Sequence, residues 1–195
     1  MRLARNSKTW ISVPIFLTAA LAALGSWYIS AAVLAGSIFI IFFHRDPDRL
    51  PKGEGMVSPA DGRIIQAHGN RIIVFMGPGD VHVNRAPLDG MVKKTEYIRG
   101  GHAPAFLSTA ANNQQNRIEM ETAHGDIELR QITGTLVREV ICYVRPGDRV
   151  VRGERIGMIR FGSRVEVTVP ESFLVQVKPG DKVRAGETVI AVKRS

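Results

Sequence analysis

Two stretches, Arg145-Pro146-Gly147-Asp148-Arg149-Val150 and Lys178-Pro179-Gly180-Asp181-Lys182-Val183, share one pattern at a separation of 33 residues. Each continues to a Gly-Glu pair, Gly153-Glu154 in the first and Gly186-Glu187 in the second. Proline fixes φ and glycine accepts a positive φ, so each Pro-Gly-Asp predicts a tight turn, and the later glycine predicts a second bend before a strand. The repeat therefore indicates a fold of short strands and tight turns.

The chain around the repeat has the pattern of a β-rich domain. Short runs of β-branched residues alternate with Gly, Pro and Asp, as is typical of strands joined by turns. The predicted strands are residues 63–67, 71–76, 90–97, 116–122, 127–132, 139–144, 155–160, 164–169, 173–177 and 188–192. Residues 103–111 form the one predicted short helix. We expect residues 51–195 to be a mainly β sandwich or barrel.

The repeat frame resembles the sandwiched hammerhead of biotinyl and lipoyl carrier domains. A membrane-tethered carrier module without catalysis is therefore one candidate function. Such a carrier needs a lysine at a hairpin tip, typically within Met-Lys-Met or Asp-Lys-Ala, and neither string occurs. Lys93, Lys94 and Lys178 have other surroundings. The carrier is kept as the alternative from a non-enzymatic class.

Residues 10–43 contain no Lys, Arg, Asp, Glu or His. A helix that crosses a membrane needs about 20 apolar residues, and this run is longer than the apolar core of a secretory signal peptide. Gly25-Ser26 divides the run, so we expect a hydrophobic helical hairpin, with one tilted span as the alternative. Basic residues flank both ends and predict that both lie in the cytoplasm. Residues 1–50 are thus expected to associate with the membrane.

Composition limits the partners and the site. The chain has 26 Lys and Arg against 18 Asp and Glu, a formal net charge of +8, which favours contact with anionic lipid headgroups. It lacks a basic stripe interleaved with aromatic residues, so nucleic acid is not an expected partner. Its single cysteine, Cys142, excludes an intramolecular disulfide and a cysteine-based metal cluster. No metal site is expected.

A Gly-Ser bond lies in an apolar, strand-like run, Arg160-Phe161-Gly162-Ser163-Arg164. Alone, it would be interpreted as an ordinary strand serine facing solvent. Three further strings precede it in the chain: Phe42-Phe43-His44-Arg45-Asp46-Pro47, Pro59-Ala60-Asp61-Gly62 and Val81-His82-Val83-Asn84-Arg85. In this order they resemble the phosphatidylserine decarboxylases of the short, pyruvoyl-dependent type, over nearly the whole chain.

The resemblance implies that the chain cuts itself between Gly162 and Ser163. Ser163 would then become a pyruvoyl group, the cofactor, which forms a Schiff base with the substrate amine and serves as an electron sink without a metal. The cut would give a β chain, residues 1–162, and an α chain, residues 163–195. The two chains are expected to stay together as a heterodimer, because the last strands belong to the α chain.

The resemblance also assigns roles to individual side chains. Asp61 is expected to orient or polarise the groups that cleave the chain, and His82 to return a proton to the substrate carbon. Arg85 stands where longer members have a second histidine, and arginine cannot act as a base near neutral pH. How Ser163 is activated therefore stays open. Arg85 and Asn84 are candidate ligands of the substrate phosphate or carboxylate.

The implied function is decarboxylation of phosphatidylserine to phosphatidylethanolamine in phospholipid biosynthesis, at the cytoplasmic face of the cell membrane. Another serine lipid, such as archaetidylserine, is the alternative because its headgroup chemistry is the same. Residues 100–117 resemble the family's glycine-rich turn, but Asn113-Gln114-Gln115-Asn116 replaces its Asn-Glu-Arg-Asn. This segment is expected to be either a loop over the site or a solvated loop.

Overall fold

The computed structural model describes residues 2–135, 137, 139–161 and 163–194. It contains two compact units, Met1–Asp48 and Arg49–Ser195. The first unit is helical and the second is built from strands. The prediction of a mainly β protein with an N-terminal pair of helices is confirmed.

The N-terminal unit is a hairpin of two helices, α1 (Lys8–Ala23) and α2 (Trp27–Phe43). The chain reverses between them, and the Ala4 N–H donates to the carbonyl of His44 at 2.9 Å, which closes the open end of the hairpin. The predicted hairpin is therefore confirmed, and one continuous helix does not form. Within the described ranges, no helix combines the length and the apolar character needed to cross a bilayer.

The described part of the second unit forms fourteen strands. They are β1 (Met56–Val57), β2 (Gly62–His68), β3 (Arg71–Met76), β4 (Val83–Arg85), β5 (Gly90–Ile98), β6 (Gln115–Thr122), β7 (Gly125–Ile132), β8 (Glu139–Cys142), β9 (Arg149–Val150), β10 (Arg155–Arg160), β11 (Ser163–Thr168), β12 (Phe173–Val175), β13 (Lys182–Val183) and β14 (Val189–Lys193). All ten predicted strands are confirmed. The other four, β1, β4, β9 and β13, are too short to show a periodicity in sequence.

The strands pair in three sheets, and every pair between them is antiparallel. A curled eight-stranded sheet has the order β13-β2-β3-β11-β7-β6-β5-β9, and two three-stranded sheets have the orders β1-β14-β12 and β4-β10-β8. Strand β11 lies between β3 and β7, with Val165 opposite both Val74 and Gln131. Val165 and Val74 are fully buried in the hydrophobic core.

The sequence repeat is also a repeat in the structure. Strands β9 and β13 occupy equivalent positions in the two copies, and they form the two opposite edges of the eight-stranded sheet. The turn glycines make matching hydrogen bonds: the Gly147 N–H donates to Val92 and the Gly180 N–H donates to Ile64, each at 2.8 Å. The finer likeness to a biotinyl or lipoyl hammerhead stays a prediction.

The helix predicted over residues 103–111 is wrong. Only a short 3-10 turn, Ser108–Asn112, forms there. The Asn113 side chain explains the difference, because its Oδ1 accepts the Ala103 N–H at 2.8 Å and its Nδ2 donates to the Ala103 carbonyl at 2.7 Å. These bonds take both backbone groups of Ala103 away from a helix.

Candidate functional site

The predicted cleavage point lies where the chain passes from one sheet to another. Strand β10 ends at Arg160 in a three-stranded sheet, and β11 begins at Ser163 in the eight-stranded sheet. Between them Phe161 has φ 56°, in the left-handed region, which costs a residue with a side chain about 1–2 kcal/mol. Gly162, the other residue of the predicted bond, lies outside the described residues. The described backbone is therefore strained at Phe161, two positions before Ser163.

Ser163 is fully buried, so it is not a strand serine facing solvent. It lies opposite Met76, the last residue of β3. Its Oγ has no hydrogen-bond partner in the part of the chain that the structure describes. Leaving a buried hydroxyl unpaired costs about 1–3 kcal/mol. An unpaired buried hydroxyl two positions after a strained residue is the arrangement expected of a reactive group.

His82 is held against the strand that leads to Ser163. It directly precedes β4, which pairs with β10, and its carbonyl accepts the Ile159 N–H at 3.2 Å. The side chain is fully buried, and its Nδ1 donates to the Asp80 carbonyl at 2.9 Å. Because a carbonyl only accepts, Nδ1 carries the proton of the neutral ring and Nε2 is its basic nitrogen. His82 thus has a fixed tautomer suited to proton transfer.

Asp61 lies in a buried ion pair with Arg49 that sequence reasoning did not find. The Arg49 guanidinium binds both carboxylate oxygens, with Nη2 2.8 Å from Oδ2. The same carboxylate accepts the Ala185 N–H at 2.8 Å and the Val81 N–H at 3.4 Å. Asp61 therefore holds Val81, the residue before His82, and links it to Ala185, which lies in the segment after Ser163.

The glycine of the Asp-Gly string has a steric explanation. Gly62 has φ 143°, and a Cβ there would lie 1.9 Å from the carbonyl oxygen of Phe75. No other residue fits this close approach of β2 to β3. The string thus places Asp61 at a sharply defined point at the start of β2.

Asn84 belongs to a buried chain of amides. Its Oδ1 accepts from Nε2 of Gln131 at 2.8 Å, and Oε1 of Gln131 accepts from Nδ2 of Asn116 at 2.8 Å. Nδ2 of Asn84 lies 3.7 Å from Sδ of Met76, the residue opposite Ser163. The predicted ligand Asn84 is therefore part of the wall beside Ser163, where its amide is already bonded inside the protein.

Arg85 points away from Asn84, because neighbouring residues on a strand face opposite sides. Its side chain is buried, and Nη1 donates to the Gly153 carbonyl at 2.8 Å. Its Cδ packs on Gly186, where a Cβ would lie only 2.6 Å away. Gly153 and Gly186 are the equivalent glycines of the repeat. The structure thus places the predicted ligand Arg85 between the two copies of the repeat.

A second cluster missed in the sequence surrounds Glu187. Its carboxylate lies 3.0 Å from Nζ of Lys52 and 3.6 Å from Nε of Arg49. The hydrogen bond and charge of Lys52, with Arg49 and Arg184 adding, lower the pKa of Glu187 against the opposing effect of burial. The Gly-Glu pair of the repeat was the available signal, but it gave no indication of the partners.

Residues 163–194 are interleaved with the rest of the domain. Strand β11 lies between β3 and β7, β13 pairs with β2, and β14 pairs with β1. A break before Ser163 would therefore leave both pieces joined through several strand pairs.

Comparison with known proteins agrees with these observations. Residues 37–191 match the family model described as phosphatidylserine decarboxylase. A protein of Methanococcoides burtonii with the provisional name archaetidylserine decarboxylase proenzyme is 43% identical over 99% of this chain and 97% of its own. One of Archaeoglobus fulgidus with the same provisional name is 46% identical over 83% of this chain and 82% of its own. The phosphatidylserine decarboxylase proenzyme of Streptomyces griseus is 39% identical over 97% of this chain and 93% of its own.

Proposed function

Because the chain belongs to the phosphatidylserine decarboxylase family, and is thus a decarboxylase, we propose that it cuts its own backbone between Gly162 and Ser163 and then decarboxylates a serine phospholipid. One observation carries this proposal above the others. The Ser163 hydroxyl is buried and has no partner among the described residues, and Phe161, two positions before it, has a left-handed backbone conformation.

The cleavage needs only the chain itself and water. Ser163 Oγ attacks the carbonyl carbon of Gly162, the C–N bond breaks, and the hydroxyl proton passes to the released amine, so that an ester replaces the amide. Removal of the Ser163 α-proton then expels the Gly162 carboxylate and leaves a dehydroalanine. Addition of water to its imine tautomer releases ammonia and leaves a pyruvoyl group at residue 163.

The position of residue 163 suits such a group. It begins a central strand held on both sides, by β3 and by β7, and it is fully buried. Once formed, the pyruvoyl group supplies an electron sink for the pair released when CO₂ departs. Strand β11 fixes its place, and the interleaved strands keep residues 163–194 in the domain as the smaller chain of a heterodimer.

His82 supplies the proton in this proposal. Decarboxylation leaves a carbon that must receive a proton, and a positioned histidine is the commonest donor near neutral pH. The bond from Nδ1 to Asp80 directs the exchangeable proton to Nε2. Asp61, through the Val81 N–H, maintains the position of the preceding residue.

The substrate is a membrane lipid with a serine headgroup. Phosphatidylserine is the first candidate, and the provisional names of two relatives at 43% and 46% identity favour archaetidylserine as the second. The two lipids share the headgroup on which the reaction occurs and differ in the hydrocarbon part. Assays with each lipid in otherwise identical vesicles, compared by kcat/KM, decide between them.

We place the enzyme at the cytoplasmic face of the cell membrane, with the helical hairpin in the lipid. Large apolar side chains are exposed on both helices, which suits contact with lipid. They include Val13, Ile15, Phe16, Leu17, Trp27, Tyr28, Ile29, Leu34, Ile38 and Phe39. Deleting residues 10–43 should abolish vesicle binding while activity on a dispersed short-chain lipid persists.

Intact mass spectrometry of the purified protein tests the central proposal. We expect two chains, residues 1–162 and 163–195, the smaller with a blocked N-terminus that reacts with a carbonyl reagent. Ser163→Ala should stay uncut and inactive. A fully active uncut chain, or cleavage in the Ser163→Ala variant, would contradict the proposal, and an uncut chain with a modified lysine would indicate a carrier module.

A further inference from the structure

A cavity of about 320 Å³ adjoins the strand that begins at Ser163. Its wall includes residues of β2, β3 and β11 and of the segment that precedes β6. The lining residues include Ile65, Arg71, Ile73, Phe106, Arg164 and Glu166. The cavity thus reaches the residue next to the predicted reactive position.

Arg164 is the charged group at the inner end of this cavity. It directly follows Ser163 and is 3% exposed. Its Nη1 donates to the Leu107 carbonyl at 2.8 Å and its Nη2 pairs with Glu166. Its Nε is buried and has no hydrogen-bond partner in the described part of the chain. A guanidinium offers five N–H donors, and among the described residues the Nε–H of Arg164 has no acceptor.

Arg71 adds a second positive charge nearer the surface. Its Nη1 lies 3.5 Å from Oε2 of Glu166, and its side chain is 45% exposed, whereas that of Glu166 is 4% exposed. One carboxylate therefore faces two guanidinium groups, and the cluster keeps a net positive charge. Paired guanidinium groups of this kind are suited to phosphate oxygens.

The other walls of the cavity are apolar. Ile65 and Ile73 line it, and the Phe106 ring packs edge-on against Phe75 at a centroid distance of 6.1 Å. Phe106 and Leu107 are 60% and 43% exposed. A cavity with cations inside and exposed apolar residues at its rim fits a ligand that carries a phosphate next to a hydrocarbon part.

We propose that this cavity binds the phosphate of the serine phospholipid, with Arg164 and Arg71 as phosphate ligands and Phe106 against the adjoining apolar part. This inference rests on the proposed function, in which residue 163 receives the headgroup amine. The carbon that reacts is the former Cα of residue 163, in the line of the strand, about 3.8 Å from the Cα of Arg164. The Arg164 side chain lies on the other face of β11 from the Ser163 side chain, but the imine would form at the free end of the strand. Only two carbons and one oxygen separate amine and phosphorus in the headgroup, so the phosphate can turn to the Arg164 face and reach one guanidinium.

Glu166 has a defined part in this site. It holds both guanidinium groups in place when no phosphate is present, and it competes with the phosphate for them. Removing its charge should therefore strengthen phosphate binding, whereas removing either arginine should weaken it. A purely structural ion-pair cluster would not show these opposite signs.

Binding is measured on the uncut Ser163→Ala chain, so that no chemistry intervenes, with glycerophosphoserine as the probe in calorimetric titrations. Arg164→Gln and Arg71→Gln should each weaken binding by about tenfold or more, since each removes a charge-assisted hydrogen bond. Glu166→Gln should tighten it. Lys94→Gln, which removes an exposed cation paired with Glu96, should leave it unchanged. Arg71→Gln keeps the test valid if substitution of the buried Arg164 prevents folding.

A second arm uses the self-cleaved protein. Arg71→Gln should raise KM with little change in kcat, because it acts on binding. If the natural chain cuts itself and is active, but neither arginine variant changes KM or probe affinity, the phosphate site is refuted and the proposed function stands. If the natural chain is neither cut nor active, the proposed function fails. Inorganic phosphate bound as tightly as glycerophosphoserine would mark a free-anion site and overturn the lipid assignment.

Discussion

Arg85 occupies the space that a side chain on Gly186 would need, since an ideal Cβ there would lie 2.6 Å from Arg85 Cδ. Gly153, the equivalent residue of the repeat, accepts the Nη1 hydrogen of the same arginine on its carbonyl. A Cβ on Gly153 would meet its nearest neighbour, Pro51, at 3.5 Å. The two glycines have similar φ values, 86° and 72°, but only one is crowded.

This difference gives a matched prediction for stability. Gly153→Ala should cost the strain of a left-handed residue, about 1–2 kcal/mol. Gly186→Ala should cost the same strain plus overpacking against Arg85, about 1–3 kcal/mol more. Thermal unfolding of both variants in the uncut Ser163→Ala background measures the difference. Equal destabilisation would show that the Arg85 side chain can move aside, and that its contact with Gly186 does not hold the two copies of the repeat together.

Much of the fold could be predicted because its signals are local. The Pro-Gly-Asp turns and the longer strands depend on neighbouring residues, and they appear where expected. Strand β4 has three residues, too few to show which side chain faces which way. The prediction therefore grouped Arg85 with Asn84 as ligands, whereas the strand directs the two side chains to opposite sides.

The partners at the site could not be predicted, because tertiary contacts choose them. Asp61 was selected as an isolated acid, but its carboxylate is held by Arg49 and by the Ala185 amide, 124 positions away in the chain. Gln131 bonds Asn84 across 47 positions and belongs to no sequence motif. Polar residues within otherwise apolar strands were the one available signal for such contacts.

His82→Gln should lower kcat for decarboxylation by about 10²–10⁴-fold, the usual contribution of a positioned acid or base. The reason is that glutamine retains a polar side chain but cannot exchange a proton. Steady-state rates on lipid vesicles measure this effect, and mass spectrometry shows the cut fraction separately. His68→Gln, at an exposed position on β2, is the control. An unchanged kcat in fully cut His82→Gln would remove His82 from the mechanism.

Asp61→Asn should destabilise the fold by about 3 kcal/mol, the lower end of the range for breaking a buried ion pair, because Arg49 keeps the Glu187 carboxylate 3.6 Å from its Nε. Arg49 would keep its charge with a side chain only 7% exposed. Arg49→Gln is the reciprocal variant, and the double variant Arg49→Gln with Asp61→Asn should recover part of the loss. Thermal unfolding of the uncut background gives all three values. Strict additivity would show that the pair does not act as a unit.

Glu187 predicts a dependence of stability on acid. Its pairing with Lys52 lowers the pKa of the folded state below the ordinary value of 4.5, so the unfolded chain binds more protons as the pH falls. The stabilisation is therefore complete above about pH 5 and is lost as the pH drops through the folded pKa. For a partly exposed pair it should amount to about 1 kcal/mol or less.

Unfolding midpoints of the uncut Ser163→Ala chain, with and without Glu187→Gln, should thus differ at neutral pH and converge once the pH has fallen below the folded pKa. Lys52→Gln should reduce the difference, because it removes the strongest partner of the carboxylate. Glu187 lies after Ser163 in the chain, whereas Lys52 and Arg49 lie before it. The same acid range should therefore weaken the association of the two chains in the cut protein. A midpoint difference that stays constant from neutral to acid pH would show that the carboxylate contributes through packing alone.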